Sequence, residues 1–383
     1  HRLAINGLNE KSDQPITIDG ITLICNGEIY NYRELYKQLN DEEQLMCLPH
    51  TDSDCEVIIH LYRIYGIRKT LEMLNGEFAF ALYDASMEKI FLARDPHGVR
   101  ALYIMENIEE SFSYPIVFGS EMKMLYPFLT DTKDNSLKIQ QFSPGHYTVL
   151  DNNKIKDTNY WSFVETNKYI QYYFRHNYYK ESYLWKDRVP ECSISESLEK
   201  IRVTLMNSIK RRVTTSDRPI ACLLSGGLDS SLVTALVSKY YSTEQLETYS
   251  IGMPGSEDLK YSQIVADHLG TKHTQIVLSE DDFFDAIPEV IKSIESYDTT
   301  TVRASVGNYL ISKYIREHSE AKVIFNGDGS DEVTGGYMYF HKAPTEEEFD
   351  KECHRRLDDI YTFDVLRSDK SVSSNGLEPR TPF

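Results

Sequence analysis

The spacing of apolar residues changes character partway along the chain. Over the first 150 residues they fall in short runs of strand type. Residues 21–25 form an apolar strand that meets Asn26-Gly27, a dipeptide that predicts a turn. Residues 78–83 and 89–93 are apolar runs joined by the polar stretch 84–88, which predicts a hairpin. Residues 30–39 and 56–65 have helical spacing, the second with Val57, His60, Leu61 and Ile64 on one face. Strands accompanied by two helices predict a layered α+β domain.

From Ser193 onward the pattern alternates. Ser193 and Glu196 stand in capping-box positions, and Leu198, Ile201, Leu205 and Ile209 follow at helical spacing. Then come a strand at 219–224, a helix at 228–240, a strand at 248–252 and a helix at 261–269 closed by Gly270. A strand at 273–278, a helix at 282–293 and a strand at 322–326 complete the series. Strands separated by helices predict βαβ units and a parallel sheet. Between 152 and 192 the periodicity fades. There Tyr172, Tyr173, Tyr178, Tyr179 and Tyr183 crowd a segment, 169–185, that reads as an interdomain connection or an inserted surface loop. The expected plan is a first domain at 1–160, a connection at 161–192 and a second domain at 193–383.

Composition narrows the class. A chain of 383 residues suits two domains, and 41% hydrophobic with 26% charged residues is ordinary for a globular protein that needs no metal or disulfide staple. Apolar runs such as 220–224 are too short to span a bilayer, so no membrane partner is expected. A net charge of −18 repels a phosphate backbone and argues against a nucleic-acid partner. Cys25, Cys47, Cys55, Cys192, Cys222 and Cys353 form no CxxC pair and no metal-ligand spacing. They read as free thiols in a reducing, cytoplasmic compartment. Both ends, at His1 and Phe383, are expected to be cut rather than natural.

Ligands of an open parallel sheet gather at the carboxyl ends of its strands. Directly after strand 219–224 come Ser225, Gly226, Gly227, Leu228, Asp229, Ser230 and Ser231. The two glycines let backbone approach an anion, and the following helix presents unpaired N–H groups to it. Asp229 makes sense beside a phosphate when Mg²⁺ sits between them. No GxxxxGK[ST] is present, so this is not a kinase-type phosphate loop. A glycine turn that merely caps a helix would explain Ser-Gly-Gly alone, but not all seven residues between strand and helix. After strand 322–326 comes the second loop, Asn326, Gly327, Asp328, Gly329, Ser330, Asp331 and Glu332. Three carboxylates within residues 328–332 again imply a divalent metal. A solvated acidic turn would explain those acids, but not their place at the same sheet edge as the first loop. Together the loops predict a site for a polyphosphate and its divalent cation; in the ATP pyrophosphatases, which they resemble, such a site cleaves ATP to leave pyrophosphate and adenylates a substrate.

This pattern resembles the ATP pyrophosphatases, and other segments narrow the likeness. Tyr297-Asp298-Thr299-Thr300-Thr301-Val302-Arg303-Ala304-Ser305 resembles the substrate segment of asparagine synthetases, and so does Gly336-Tyr337-Met338-Tyr339-Phe340-His341-Lys342-Ala343-Pro344. The Arg303 guanidinium suits a carboxylate or phosphate oxygen, and Thr300 and Thr301 add hydroxyls. Without those neighbours Arg303 would read as an ordinary surface ion pair. Earlier, Asn26-Gly27-Glu28-Ile29-Tyr30-Asn31-Tyr32, Ser53-Asp54-Cys55-Glu56, Leu74-Asn75-Gly76-Glu77-Phe78-Ala79-Phe80 and Ala93-Arg94-Asp95-Pro96-His97-Gly98-Val99-Arg100 resemble a class II glutaminase domain. From His1 to Phe383, with only 152–192 unmatched, the chain resembles the glutamine-hydrolysing asparagine synthetase family.

That resemblance implies a layered αββα, Ntn-type glutaminase followed by a Rossmann-like α/β ATP pyrophosphatase domain. It implies glutamine contacts on Arg2, Leu3, Ala4, Ile5, Asn6, Glu28 and Asp54, with Asn26 and the Gly27 N–H as oxyanion hole. It implies ATP contacts on Leu223, Ser225, Gly226, Gly227, Leu228, Asp229, Ser230, Ser231, Ile251, Asn326 and Gly327. Asp229 and Asp331 would hold Mg²⁺, and Asp328, Arg303, Thr300 and Thr301 would serve the acyl transfer. The expected reaction joins aspartate to ammonia from glutamine through β-aspartyl-AMP. The nucleophilic cysteine of the family precedes His1 and is expected to be lost by truncation. Where the family usually has Ser-Gly-Glu-Gly-Ser-Asp-Glu, Asp328 replaces the first Glu and is one methylene shorter. Two other readings stay open: another amide-forming ATP pyrophosphatase of β-lactam synthetase type, and a catalytically degenerate binding protein. The expected partners are aspartate, glutamine and ATP, with a homodimer allowed.

Overall fold

In the computed structural model, which describes residues 3–42, 48–107, 116–131, 137–151 and 193–383, the strand opening at Ile21 does not turn at Asn26-Gly27. It runs on as β2 (Ile21–Ile29), antiparallel to β3 (Gly76–Asp84), with Asn26 opposite Ala79 and Gly27 opposite Phe78. The glycine is required by close approach rather than by a reversal. A β-carbon at Gly27 would stand 2.1 Å from the Glu77 carbonyl oxygen, and its φ is +151°. The Tyr-rich segment 169–185 and the connection 161–192 lie outside the described residues.

Two compact units divide the chain, Gly7–Glu191 and Cys192–Phe383, with Leu3–Asn6 belonging to the second. In the first, β1 (Ile16–Ile18), β2, β3, β4 (Lys89–Arg94) and β8 (Tyr147–Asp151) form an antiparallel sheet. The predicted hairpin joins β3 to β4, with Asp84 paired to Lys89. A second sheet orders β6 (Val117–Gly119), β5 (Tyr103–Asn107) and β7 (Leu137–Gln141).

Alternation along the strands sorts their side chains into layers. Phe78, Phe80, Leu82 and Phe91 join a core with Leu35 and Leu39 of α1 (Tyr32–Glu42) and Val57, Ile58 and Leu61 of α2 (Val57–Met73). Ala79, Ala81 and Leu92 face the other way, onto Leu102, Ile104 and Phe142. Tyr103 and Met105 of β5 then pack on Leu125 of α3 (Met122–Asp131). The result is the expected helix, sheet, sheet, helix sandwich.

In the second unit, Ser193 and Glu196 form the predicted capping box at the head of α4 (Ile194–Thr214). Its apolar stripe is buried only toward the end: Ile209 is in the core, but Leu198 and Ile201 are 61% and 64% exposed. The predicted series follows as β9 (Ile220–Leu223), α5 (Leu228–Val237), β10 (Glu247–Gly252), α6 (Glu257–Leu269), β11 (Lys272–Val277) and α7 (Glu280–Ile294). Gly270, at φ 71°, closes α6 in the left-handed conformation. Beyond the predicted series stand α8 (Thr299–His318), α10 (Glu346–Asp359) and β13 (Glu378–Arg380), and the short α9 (Ser330–Thr334) after β12 (Val323–Phe325). The sheet runs β11, β10, β9, β12, β13, with every neighbouring pair parallel.

Candidate active site

That strand order places the topological switch point between β9 and β12. From β9 the chain crosses outward through β10 to β11, then returns to β12 on the other side. Loops leaving strands on either side of such a point diverge and open a crevice at their carboxyl ends. The two loops here are the glycine- and acid-rich pair, 225–231 and 326–332.

They touch. A β-carbon at Gly327 would lie 2.9 Å from the Ser230 nitrogen and 3.0 Å from the Asp229 carbonyl carbon, so the second loop rests on the first turn of α5. The first loop is folded on itself. Ser225 N donates to Ser230 Oγ at 3.2 Å, the two hydroxyls lie 3.0 Å apart, and Gly227 N donates to Ser225 Oγ at 3.3 Å. Gly226 has φ +84°, and a β-carbon there would meet the Ser262 nitrogen at 2.5 Å. The loop therefore bends under α6 where no side chain fits. Leu228 is exposed at the mouth, and Leu223 and Ile251 sit half-buried at the ends of adjacent strands.

Burial raises the Asp331 carboxyl, and the negative charges of Asp229 and Glu332 raise it further. The positive charge of Arg367 opposes them, and carboxylate oxygens such as those of Asp229 and Asp331 have the donor chemistry a divalent cation would take.

Asp328 is anchored rather than free. Its Oδ2 accepts from Asn326 Nδ2 at 3.1 Å and from the Ser368 hydroxyl, while its own N–H donates to Asn326 Oδ1 at 3.3 Å. Behind it stands a group that sequence reasoning missed. The Tyr337 hydroxyl donates to Glu332 Oε1, and Arg367 pairs with Asp364. Burial, then a hydrogen bond with Glu332, pushes the Asp364 carboxyl up to about 8. Residues 360–370 carry no motif or clean period, so only the fold could reveal Ser368, Asp364 and Arg367.

Thr300, Thr301 and Arg303 stand in the first turns of α8. Asp298 caps that helix and accepts from both the Thr301 N–H and its hydroxyl at 2.9 Å. The Thr301 hydroxyl is therefore committed to the cap, whereas Thr300 and Arg303 are exposed.

In the first unit, Asn26, Gly27 and Glu28 end β2, and Asn26 Nδ2 lies 3.4 Å from Ser120 Oγ. Asp54 is buried and accepts the Ile29 N–H at 2.5 Å, while Cys55 Sγ lies 3.4 Å from the Gly27 carbonyl. Buried Glu77, opposite Glu28, is 3.6 Å from the Arg100 guanidinium. Asp95 pins the intervening loop by accepting from the N–H groups of Phe78, His97, Val99 and Arg100. Asn26, Gly27, Glu28 and Asp54 thus share one edge. Leu3, Ala4, Ile5 and Asn6, for which the resemblance implies glutamine contacts, group with the second unit. Ile5 is core to the second unit beside Ile209 and Ile220, Ala4 O accepts from Arg218 Nε, and Asn6 Nδ2 donates to Thr215 O. The apolar side chain of Ile5 finds its burial there. Arg2 lies outside the described residues.

Comparison with known proteins agrees with both halves. Residues 1–161 match the family described as glutamine amidotransferase domain, and residues 200–349 match asparagine synthase. The chain is 42% identical over 381 residues to the asparagine synthetase (glutamine-hydrolyzing) of Homo sapiens, covering 97% of this chain and 64% of that protein. Against the protein of the same name from Mus musculus it is 43% identical over 369 residues, covering 94% of this chain and 62% of that one. The Gallus gallus protein gives 42% over 384 residues, with coverage of 97% and 64%. The chain is therefore a two-domain protein, a glutamine amidotransferase domain followed by an ATP pyrophosphatase domain of asparagine synthase type. It belongs to the glutamine-hydrolysing asparagine synthetase family, and it spans somewhat under two thirds of the length of these relatives.

Proposed function

We propose that the second unit adenylates the side-chain carboxylate of L-aspartate with ATP and passes the acyl group to ammonia, giving L-asparagine, AMP and pyrophosphate. The observation that carries this reading is the seating of Gly327 on Asp229 and Ser230, which joins two anion-binding loops at the switch point of the sheet. Ser225, Gly226, Gly227, Ser230 and Ser231 would cradle the departing pyrophosphate, with Leu223 and Ile251 toward the adenine. Mg²⁺ held by Asp229 and Asp331 would supply charge neutralisation for that leaving group. Asp328, steadied by Asn326 and Ser368, would face the aspartate acyl centre, with Thr300 and Arg303 near the substrate carboxylates.

The first unit would bind glutamine and release its ammonia. Asn26 and Gly27 would stabilise the oxyanion, and Glu28 and Asp54 would hold the α-amino group. The free thiols of Cys25, Cys55, Cys222 and Cys353 favour a reducing, cytoplasmic setting. The protein would assemble as a homodimer, which sedimentation would read. Among the described residues no helix is long and apolar enough to cross a membrane.

The deciding experiment measures pyrophosphate release from ATP and Mg²⁺ with ammonia as nitrogen donor. Release that needs L-aspartate and yields asparagine supports the proposal. Release indifferent to aspartate, or none at all, defeats it.

A further inference from the structure

Away from Asn26, Gly27 and Glu28, the first unit holds a second constellation, formed by His50, Glu56 and His60. Glu56 stands at the head of α2 and His60 follows one turn later, so their side chains share a helix face. Residues 48–53 fold back over that face. The His50 ring stacks on the His60 ring, with centroids 5.8 Å apart and planes at 12°. Glu56 Oε1 lies 2.9 Å from His60 Nε2 and 3.4 Å from His50 Nδ1. One ring nitrogen from each histidine and a Glu56 oxygen all fall within 4.8 Å of one another.

A tetrahedral ion with bonds of about 2.0–2.1 Å needs ligand atoms roughly 3.3 Å apart, and Glu56 Oε1 stands 2.9 Å and 3.4 Å from the two ring nitrogens. Two ligands are buried, while the His50 side chain is 62% exposed and leaves a fourth position open to water. The carboxylate is already oriented. Oε1 accepts from His50 N at 2.8 Å and Oε2 from Thr51 N at 2.6 Å, the kind of backing that fixes a metal ligand. A plain cap between Glu56 and His60 would account for those two residues. It would not bring the ring nitrogen of a second, exposed histidine to the same oxygen.

We propose that His50, Glu56 and His60 form a binding site for a divalent cation of the zinc class. Two imidazoles with one carboxylate favour Zn²⁺ over Mg²⁺ or Ca²⁺. Binding forms two metal–nitrogen bonds and one metal–oxygen bond. Each neutral imidazole gives the lone pair of the nitrogen facing Glu56 and carries its one proton on the other ring nitrogen, and a water completes the tetrahedron. The cation ties the turn that carries Asp54 to α2, and so steadies the edge where Asp54 holds Ile29 N.

The test titrates the full 383-residue chain, freed of metal, with Zn²⁺ by calorimetry and with Co²⁺ by visible absorption. Expected are one Zn²⁺ per chain, the intense visible bands of tetrahedral Co²⁺, and a rise in melting temperature with Zn²⁺. His50→Ala, at an exposed position, should weaken binding at least about tenfold and abolish the bands. His50→Phe keeps the stacking ring without its nitrogen and should lose binding equally. Asp331→Asn should retain it. Failure of the native chain to bind Zn²⁺ stoichiometrically, or binding undiminished in both His50 variants, overturns the proposal.

Discussion

Gly327 lies against Asp229 so closely that a β-carbon built on it would stand 3.1 Å from the Asp229 Cβ. Neither loop has its shape alone; the glycine lets the loop after β12 settle on the helix start after β9. Gly327→Ala leaves both strands and the core intact but must push the loops apart by a few tenths of an ångström. Small displacements of a reacting group cost rate steeply, so aspartate-dependent pyrophosphate release should fall about tenfold to a hundredfold. The melting temperature should move little. Full activity in the alanine variant would show that the loops need not touch.

Gly27→Ala should act on stability instead. A β-carbon there would stand 2.1 Å from the Glu77 carbonyl oxygen and 2.6 Å from the Phe78 Cα, both backbone atoms of the central strand β3. Neither can yield without parting β2 from β3, so the expected loss is on the order of 3 kcal/mol or more. Amide hydrogen exchange should report it as lost protection across Ile21–Ile29 and Gly76–Asp84. Unchanged protection there would refute the close-packing account.

The same glycine shows how far local sequence reaches. Asn-Gly is a turn signal because glycine tolerates positive φ, yet close strand approach makes the same demand, and the pairing with Glu77 and Phe78 decides between them. The parallel sheet was legible because short apolar strands alternate with helices, and loop chemistry then located its carboxyl edge. Asp364, Arg367 and Ser368 were not legible. They reach Glu332 and Asp328 from a segment more than thirty residues on, where neither period nor motif announces them. The exposed half of α4 misled in the other direction: Leu198 and Ile201 keep helical spacing without being buried.

The pair of Glu332 and Asp364 gives stability an unusual pH dependence. Burial, then the hydrogen bond with Glu332, raises the Asp364 carboxyl from 3.8 to about 8. A raised acid stabilises the fold fully below its unfolded value of 3.8 and loses that contribution as pH climbs through about 8. Asp364→Asn keeps a neutral group beside Glu332 and cannot ionise. Denaturant unfolding should find the variant gaining on the native protein as pH rises from 4 toward 8. Parallel stability curves would mean that Asp364 is ionised in the fold.

Glu56 should behave in the opposite sense. Burial by itself would raise its carboxyl, but hydrogen bonds from His60, the Thr51 hydroxyl and the His50 and Thr51 N–H groups outweigh burial and bring it from 4.5 to about 2. A depressed acid contributes stability above its unfolded value of 4.5 and loses it as pH falls through about 2. A difference of that size corresponds to roughly 3 kcal/mol. Glu56→Gln supplies one acceptor oxygen and turns an NH₂ toward donors that need an acceptor. With a chelator present to exclude metal ions, the variant should be less stable than the native chain by about that amount at neutral pH. The gap should hold constant down to pH 4.5 and narrow below it as the native carboxylate takes up its proton. A gap that persists unchanged through this window would locate the stabilisation in the packing of Glu56 and not in its charge.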